Sequence, residues 1–298
     1  MRWERGTSRG NIEDRRGGGI SIGGGGIRLG LGGMAILLVL SLLTGRNFFA
    51  ILGPGGGVGL PTEQGGEPYQ PTPQEEEMVD FVSFVLNDVQ DVWGSVLPRA
   101  TGQQYQDARL VLFNGTVQSG CGYAQSQMGP FYCPLDQRVY IDLGFYQEMK
   151  SRFGAPGDFA QAYVLAHEVG HHVQNLLGIA EKVHELRQTN PEASNVLSVR
   201  MELQADCLAG IWAHSTRQRN LLEAGDVEEG MNAAAAVGDD RIQRQATGTI
   251  SPEDWTHGSS KQRVAWFMQG YQSGDVNSCD TFNSELAADR DSAGGSLF

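Results

Sequence analysis

The hydrophobic residues follow a helical period over much of the chain and form short strand-like runs only near its middle. Between Met78 and Trp93 they recur three and four positions apart, which predicts an amphipathic helix with a broad apolar face. The runs RLVLF at 109–113 and VYIDL at 139–143 are short and rich in apolar residues, which predicts two strands. A third strand is expected within 129–133. This part of the chain therefore predicts a small sheet that follows a long helix.

Helical patterning resumes after the predicted strands and continues almost to the C-terminus. A short helix is expected over 145–153. Pro156 and Asp158 are typical of a helix start and Gly178 of a helix end, so a helix of about five turns is expected between them. Further helices are expected over 194–217, 226–246 and 259–272, the last capped by Ser259 or Ser260. The whole pattern predicts a mostly helical α+β fold with one small sheet.

The N-terminal part has a different pattern, in which glycine is frequent and one long apolar run stands out. Of the 41 glycines, 20 lie within residues 1–66, so the N-terminal head is expected to lie outside the packed domain. The run from Leu29 to Thr44 holds no charged residue and its apolar character continues to residue 52, which predicts a membrane span. The core of a signal peptide is an alternative, although no small-x-small cleavage site follows closely. The flanking glycines disfavour a buried soluble helix.

Charge predicts the orientation of this span and excludes some partners. Arginines precede the run, so the N-terminus is expected in the cytoplasm and the following domain on the other side of the inner membrane, in the periplasm or outside the cell. These arginines are Arg2, Arg5, Arg9, Arg15, Arg16 and Arg28. Residues 1–46 hold seven of the 22 basic and three of the 35 acidic residues, which leaves 15 basic against 32 acidic residues beyond them. This excess of negative charge repels nucleic acid, so no nucleic-acid partner is expected.

These features divide the chain into five segments. Residues 1–28 are predicted to form a Gly/Arg-rich cytoplasmic head and residues 29–52 a single transmembrane helix. Residues 53–77 are rich in glycine and proline and end in acids, which is typical of a solvated linker. The folded domain is expected over 78–285, and residues 286–298 are expected to form a flexible tail.

The four cysteines fit an oxidising compartment. Cys121 and Cys133 lie in one turn-rich segment, whereas Cys207 and Cys279 are isolated, so the simplest pairing is 121–133 and 207–279. As an alternative, Cys207 is a small buried residue of a helix. No CxxC pair is present, which argues against a structural zinc finger.

The segment YVLAHEVGHHVQNLLG at 163–178 holds the strongest chemical signal. On a helix, His167 and His171 are four residues apart and project from one face, where two imidazoles can bind one zinc ion. Glu168 is rotated by about 100° from His167, so its carboxylate would lie beside the metal and take a proton from a zinc-bound water. Gly170 allows a second element to approach the helix closely. His172 lies off this face and is expected to be a packed or hydrogen-bonded histidine.

The third ligand must come from another segment. The extended pattern HExxHxxGxxH is excluded, because Gln174 and Leu177 stand where it needs glycine and histidine. In SVRMELQADCLAG, Glu202 and Asp206 share a helix face among apolar neighbours, and a buried acid pair is costly unless a cation neutralises it. Glu202 is the predicted ligand, and Asp206 is expected to accept the free ring N–H of a liganding histidine. The alternatives are a solvated acidic face or a salt bridge to Arg200.

Several segments of the chain resemble a known family. HEVGH followed by ELQAD is similar to the gluzincin type of zinc peptidase, in which a later helix supplies the glutamate ligand. Six segments more closely resemble the bacterial family of neutral zinc metallopeptidases: NIEDRRGGG, CGYAQSQMGPFYCPLDQRVYIDLGFY, HEVGHHVQ, MELQADCLAG, GDDRIQRQATG and THGSSKQRVAWFMQGY. The resemblance covers the head and essentially all of residues 78–285. It implies a membrane-anchored, zinc-dependent peptidase with a gluzincin-like core.

Other polar residues are candidates for supporting roles. His257, in DWTHGSSKQR, is the best candidate for stabilising the oxyanion that develops on the attacked carbonyl, and a helix-capping or packing histidine is the alternative. Tyr163 is a weaker candidate, since a core tyrosine is more common in such a position. The strand at 140–143 is expected, by fold analogy alone, to be the sheet edge along which a peptide would lie. Asp239, Asp240 and Arg241 are a candidate functional cluster, for which a structural ion network is the favoured interpretation. Glu181, His184 and Glu185 are rival ligands to Glu202, but they follow the helix end at Gly178 too closely to fold back easily, so a charged surface segment is expected.

The residues and the resemblance together predict a membrane-tethered endopeptidase. It would bind one catalytic Zn²⁺ through His167, His171 and Glu202 and use Glu168 as general base. Its expected partners are a peptide or protein substrate and the membrane. Two other classes stay open. One is a catalytically inactive zinc-binding scaffold of the envelope, which the intact Glu168 disfavours. The other is a zinc hydrolase acting on a cell-wall amide, which the same residues would serve equally well.

Overall fold

A computed structural model of the chain describes residues 1–17, 69–151 and 154–283. The chain divides into two compact units, residues 1–16 with 71–298 and residues 17–70, and every element below belongs to the first unit. The predicted transmembrane helix at 29–52, most of the predicted linker and the predicted tail lie outside the described residues. Among the helices that are described, none is both long and apolar enough to cross a membrane.

The β structure of the described residues consists of one four-stranded sheet and one hairpin. The strands are β1 (Ile12–Asp14), β2 (Arg109–Phe113), β3 (Thr116–Ser119), β4 (Gly122–Gln125), β5 (Phe131–Cys133) and β6 (Arg138–Asp142). The sheet has the order β1-β2-β6-β5, in which the first three are parallel and β5 is antiparallel to β6, while β3 and β4 form the hairpin. All three predicted strands are present. β1, β3 and β4 are too short for the hydrophobic pattern to predict.

The two faces of the sheet are covered by different layers. Along β2, alternate residues point to opposite faces. Leu110 and Leu112 belong to the main core with the helices, whereas Val111 and Phe113 belong to a second, smaller core shared with Val117 of the hairpin. Burial on both faces explains why β2 is a continuous apolar run and does not alternate between apolar and polar residues.

Residues 1–16 belong to the folded domain, so the prediction of a separate head is wrong for them. β1 extends the sheet, with Ile12 paired with Leu110. Arg16 is 5% exposed and donates to Glu76 at 3.2 Å. The prediction failed because it averaged the glycine content over the whole N-terminal part, whereas most of those glycines come after residue 16.

Helices form the rest of the described domain and confirm the mostly helical α+β class. They are α1 (Pro73–Thr101), α2 (Gly144–Ser151), α3 (Asp158–Leu176), α4 (Ile179–Thr189), α5 (Ser194–Gln218), α6 (Asp226–Ala236), α7 (Asp239–Thr247) and α8 (Ser260–Ser273). Both α1 and α8 begin with a capping box, in which Thr72 and Ser259 are the N-cap residues. Of the two predicted caps for α8, Ser259 is therefore the one used.

The single helix predicted over 226–246 is two helices, α6 and α7, which meet at Gly238. A side chain at Gly238 would overlap the backbone of Ser260, so the chain turns there against the start of α8. The N–H of Asp239 donates to the carbonyl oxygen of Gly258 at 2.9 Å. The contact with α8 therefore causes the break between α6 and α7. The local hydrophobic pattern does not predict that break.

Three helices approach one another closely through glycines. α5 and α8 meet at Gly210 and Gly270, where an added Cβ would overlap backbone atoms of the facing helix. α3 and α5 meet at Gly170, whose added Cβ would stand 3.0 Å from the carbonyl oxygen of Ala205. The prediction that Gly170 admits a close neighbour is confirmed. Residues of α3, α5 and α8 consequently share one buried volume.

Both predicted disulfides are present. Cys121–Cys133 links the turn of the hairpin to β5, and Cys207–Cys279 links α5 to a short 3₁₀ helix at Val276–Cys279. Cys207 is also a fully buried residue of a helix, so the alternative interpretation describes its surroundings correctly.

Among the strands that the structure describes, β5 is the outermost on the side of the sheet away from β1. The predicted edge strand at 140–143 is β6, which lies between β2 and β5, so that prediction is wrong. The chain turns after Cys133 and pairs the short β5 antiparallel along the outer side of β6. A three-residue strand is too short for the sequence pattern to reveal its place in the sheet.

Candidate metal centre

Two histidines and one glutamate from two helices converge at a mostly buried point. Nε2 of His167 on α3 lies 3.2 Å from Oε2 of Glu202 on α5, and Nε2 of His171 lies 3.4 Å from Oε1 of Glu202. One ligand atom from each of the three lies within 4.8 Å of the other two. Two imidazoles and a carboxylate are the donor set of zinc sites that keep a fourth position open. The residues therefore fit a zinc ion.

Asp206 orients the imidazole of His167. Oδ1 of Asp206 lies 2.8 Å from Nδ1 of His167. An ionised carboxylate can only accept, so Nδ1 carries a proton, and Nε2 is the ring nitrogen that faces Glu202 and can bind a metal once its own proton is displaced. This contact is the one expected of Asp206 from the sequence.

Arg263 of α8 holds Asp206 from the other side. Its Nε donates to Oδ2 at 2.8 Å and its Nη2 to Oδ1 at 2.9 Å. The two side chains are 3% and 0% exposed, so each charge neutralises the other where water does not reach. Tyr163 also donates its hydroxyl to Asp206. That hydroxyl has one proton, which this hydrogen bond directs to Asp206.

Burial and pairing act in opposite directions on the pKa values of the site. For His167, burial lowers the pKa, but the carboxylates of Asp206 and Glu202 outweigh this effect and raise it to about 10. For Glu202, burial raises the pKa, and the two histidines more than offset it, so the pKa lies well below its usual range. Without a metal, protons on the histidines balance the Glu202 carboxylate. A zinc cation would take the place of those protons.

Glu168 lines the same cavity as the three candidate ligands. Its side chain is buried, and burial raises the pKa of its carboxyl above the usual value, against the opposing effect of His167 and His171. A carboxylate whose pKa is raised toward neutrality is suited to taking up a proton and returning it.

His257 lies in the loop before α8 and is held there by Asp239, the first residue of α7. Asp239 accepts three successive backbone N–H groups, those of Thr256, His257 and Gly258. Its Oδ1 also lies 3.1 Å from Nδ1 of His257, and this hydrogen bond raises the pKa of the imidazole. Asp239 was expected in a structural ion network, whereas it orients a histidine that lines the cavity.

The other histidines and acids singled out from the sequence lie apart from this cluster. His172 is fully buried; its Nε2 donates to the carbonyl oxygen of Gln106 at 2.6 Å, and its Nδ1 accepts from the hydroxyl of Tyr132 at 2.9 Å. It is the hydrogen-bonded histidine that was expected. The rival ligands Glu181, His184 and Glu185 are exposed on α4.

A second group of acids lies at the starts of α3 and α6, where Asp158, Asp226 and Glu229 bring their carboxylates together. The amino group of Met1 lies 2.6 Å from Asp158 and 3.2 Å from Asp226, and the N–H of Phe159 donates to Glu229 at 3.1 Å. These donors satisfy the carboxylates, so the cluster is an ion-pair network.

Arg263 is the main site residue that the sequence analysis did not single out. Within α8, the buried residues are Arg263, Trp266, Phe267 and Gly270, a spacing of three and four positions that marks one helix face. An arginine on the apolar face of a helix needs a buried counter-ion. This pattern was the available signal, although it does not identify the partner as Asp206.

One cavity of about 770 Å³ connects these groups, a volume typical of a ligand-binding pocket. The three candidate ligands, Glu168 and His257 line it. Phe131 and Tyr132 of the edge strand β5 form part of another wall. The cavity therefore joins a possible metal centre to a sheet edge.

Sequence comparisons assign the chain to a family. A sequence model of the family described as "Putative neutral zinc metallopeptidase" matches residues 1–282. The uncharacterized protein YpfJ of Escherichia coli K12 is 49% identical over 289 residues, which cover 96% of this chain and 100% of YpfJ. The uncharacterized protein Rv2575 of Mycobacterium tuberculosis H37Rv is 46% identical over 209 residues, which cover 66% of this chain and 68% of that protein. No solved structure matches the chain. The match spans β1, the two candidate histidine ligands and the glutamate that faces them, and the chain belongs to this family of neutral zinc metallopeptidases.

Proposed function

We propose that the protein is a zinc endopeptidase in which His167, His171 and Glu202 hold one catalytic zinc ion. The observation that carries this proposal is the convergence of three ligand atoms in a cavity that Glu168 also lines. Structural zinc sites are usually closed by four protein ligands, whereas catalytic sites have three and keep one position open. Three ligands beside a buried carboxylate favour hydrolysis, as does membership of the family.

The proposed reaction divides the work among few residues. A bound zinc ion would polarise the substrate carbonyl and make water acidic enough to attack it near neutral pH. Glu168 takes the proton of the attacking water and gives it to the leaving nitrogen, for which its raised pKa is suited. Asp206 keeps the His167 ring in one orientation throughout.

We assign the stabilisation of the developing oxyanion to His257. Asp239 occupies Nδ1 of the ring, so Nε2 is the nitrogen available to a bound group. The same carboxylate raises the pKa of His257 and so favours the charged imidazole, which is the stronger donor to an oxyanion.

The substrate is proposed to be a peptide that lies extended along β5. This strand is at the edge of the sheet, and its Phe131 and Tyr132 line the cavity with Glu168. An extended peptide can pair with the backbone of an edge strand, and its side chains then enter pockets on alternate sides. The apolar residues of the cavity favour an apolar side chain near the scissile bond; they include Met128, Phe131, Phe145, Met201, Val237 and Ile242.

Metal analysis and a peptide screen of the purified full-length protein test this function. The wild type is expected to hold about one zinc per chain, and Glu202→Ala is expected to lose it. Glu168→Gln is expected to keep the zinc and lose cleavage, because an amide cannot take up the proton. Glu185→Gln, on the exposed face of α4, is the matched control and should keep both. Zinc content that is indifferent to Glu202→Ala, or cleavage that survives Glu168→Gln, would contradict the proposal.

The same preparations separate the two alternative functions. A cell-wall amidase would release fragments from peptidoglycan and leave casein-type substrates intact. A scaffold protein would bind zinc in the wild type yet cleave nothing in a broad peptide library, and Glu168→Gln would then change no measured property.

We also propose that the protein works at the membrane, in an oxidising compartment. The support comes from the sequence, where the uncharged run at 29–44 is apolar enough to insert into a membrane, and from the two disulfides. Fractionation of cells that express the tagged protein tests the membrane association. Recovery in the soluble fraction would contradict it.

A further inference from the structure

His171 lies at one end of a chain of hydrogen bonds that begins at a disulfide. Nδ1 of His171 lies 2.8 Å from Oε1 of Gln174, which is three residues later on α3. Nε2 of Gln174 donates to Oε1 of Gln204 at 3.0 Å, and Nε2 of Gln204 donates to the carbonyl oxygen of Cys279, also at 3.0 Å. Cys279 is joined to α5 by its disulfide with Cys207.

The donor and acceptor roles along this series of hydrogen bonds are set at Cys279. The carbonyl oxygen of Cys279 can only accept, so Gln204 must present its NH₂ group there and its oxygen to Gln174. Gln174 must then present its NH₂ group to Gln204, and it donates as well to the carbonyl oxygen of Met201 at 2.8 Å. The oxygen of Gln174 is left for His171, whose Nδ1 must therefore carry the proton.

We propose that Gln174 is a positioning residue of the zinc site, which fixes the tautomer and the ring orientation of His171. With a proton held on Nδ1, Nε2 is the ring nitrogen that faces Glu202, and it is available to a metal once its own proton is displaced. Gln174 and Gln204 are 0% and 7% exposed, so water does not compete for their amide groups. The inference rests on the proposed function, because it assigns His171 as a zinc ligand.

The two ligand histidines are oriented by chemically different groups. His167 donates to the carboxylate of Asp206, which carries charge, whereas His171 donates to a neutral carboxamide. A carboxylate in place of Gln174 would add a second negative charge beside His171, which already faces Glu202, and this raises the cost of burial. A glutamine orients the ring without that cost.

The Cys207–Cys279 disulfide supports this series of hydrogen bonds by holding the carbonyl group of Cys279 in place. The C-terminal segment is also held by Thr281, whose hydroxyl donates to the carbonyl oxygen of Arg200 at 2.7 Å. If the carbonyl of Cys279 moved away, the amide of Gln204 could turn over and present its NH₂ group to Gln174. The direction of the chain would then be lost.

Zinc affinity, measured by competition with a chelator, tests the proposal on the full-length protein. Gln174→Met removes the acceptor while keeping the side-chain length, and it is expected to weaken zinc binding by about 10–100-fold. Gln204→Met is expected to have a smaller effect in the same direction. Gln188→Met, on the exposed part of α4, is the matched control and should leave the affinity unchanged.

A spectroscopic measurement separates positioning from a general structural role. In the zinc-loaded wild type, a long-range ¹H–¹⁵N spectrum of the six histidines should show His171 with a proton on Nδ1 and the metal on Nε2. The Co²⁺-substituted Gln174→Met protein should show an altered ligand-field spectrum, and the Gln188→Met protein the wild-type spectrum.

The outcomes distinguish this inference from the proposed function. A folded Gln174→Met protein with wild-type zinc affinity, or a wild type in which His171 binds through Nδ1, overturns the role of Gln174. A wild type that holds no zinc, or whose affinity is indifferent to Glu202→Ala, overturns the proposed function instead. If Gln174→Met does not fold, Gln204→Met and the wild-type ¹H–¹⁵N spectrum decide the question.

Discussion

Arg263 and Asp206 form a two-point ion pair that is almost wholly removed from solvent. Two nitrogens of the guanidinium lie 2.8 and 2.9 Å from the two carboxylate oxygens. The same carboxylate accepts from His167, so the pair connects α8 to a candidate metal ligand on α3. Burial raises the pKa of Asp206, but Arg263 and His167 outweigh it and hold that pKa below its usual value. Asp206 is therefore ionised when it orients His167.

Removal of Arg263 is expected to be costly, because the buried Asp206 carboxylate then has only His167 as a cationic partner, which it shares with Glu202. We expect Arg263→Met to lower the free energy of unfolding by about 3–5 kcal/mol, and Arg263→Lys to lower it less, since the charge stays while the forked contact is lost. Urea denaturation of the metal-free protein measures both. Arg241→Met, on the exposed side of α7, serves as control. A loss below about 1 kcal/mol for Arg263→Met would contradict the importance of the pair.

Zinc binding is expected to release protons. In the metal-free protein the pKa of His167 is raised to about 10, so at pH 7 its imidazole is protonated and a metal must displace that proton. Apparent zinc affinity should therefore rise with pH, by about tenfold per pH unit for each proton released, and this rise should end above the raised pKa. Calorimetry in two buffers of different ionisation enthalpy counts the protons. A zinc affinity that does not change between about pH 6 and 9 would show that zinc binding displaces no proton from His167.

The alkaline side of the pH–rate profile is expected to depend on His257 and Asp239. A charged imidazole stabilises an oxyanion, so kcat/KM should fall as pH rises through the pKa of His257. Asp239 raises that pKa, and Asp239→Asn should consequently move the fall to lower pH. His257→Gln should lower kcat by about 10²–10³-fold. Asp254 is an exposed acid of the same loop, and Asp254→Asn is the control. A pH–rate profile that Asp239→Asn does not shift would remove His257 from the mechanism.

Residues 1–16 are expected to be needed for the stability of the domain. A chain that begins at residue 71 lacks β1, which exposes the edge of β2 and uncovers Leu110. We expect this truncation to lower the free energy of unfolding by at least about 2 kcal/mol, the scale of one or two buried apolar side chains. Urea denaturation of the truncated and full-length proteins measures the difference, and equal stability would contradict the contribution of β1.

Pairing of β1 with β2 also predicts that both strands are on the same side of any membrane. A chain that crossed a membrane once between them would separate Ile12 from Leu110, and the ladder could not form. This differs from the topology expected from the arginines, in which the head is cytoplasmic and the domain is not. All four native cysteines are in disulfides, so Glu4→Cys and Glu185→Cys can each be probed with a membrane-impermeant thiol reagent on intact cells. Equal labelling is expected; opposite labelling would show that β1 does not join the sheet in the cell.

Much of the candidate site could be predicted because it depends on local spacing. His167 and His171 share one face because they lie four residues apart on a helix, and Glu202 and Asp206 do so for the same reason. The caps of α8, the strands β2 and β6 and the simplest disulfide pairing also follow from short stretches of sequence. These features need no knowledge of which elements pack together.

The contacts between elements were decided by the tertiary structure. Arg263 reaches Asp206 because α5 and α8 meet closely at Gly210 and Gly270, and no local pattern records which helices will meet. The hydrogen bonds that lead from His171 to Cys279, by way of Gln174 and Gln204, likewise join three segments that are far apart in sequence.

The N-terminal strand β1 shows most clearly the difference between what local sequence predicts and what tertiary contacts decide. By itself, the sequence predicted most of the helices and the residues that each of these presents on one face, since those depend on periods of a few residues. Only the tertiary structure decided that β1 pairs with β2 and that β5 is the free edge, because strand order depends on burial shared between distant segments. The candidate ligands and Asp206 could thus be predicted from local spacing, whereas Arg263 and Gln204 reach the site through contacts between distant segments, which no local pattern contains.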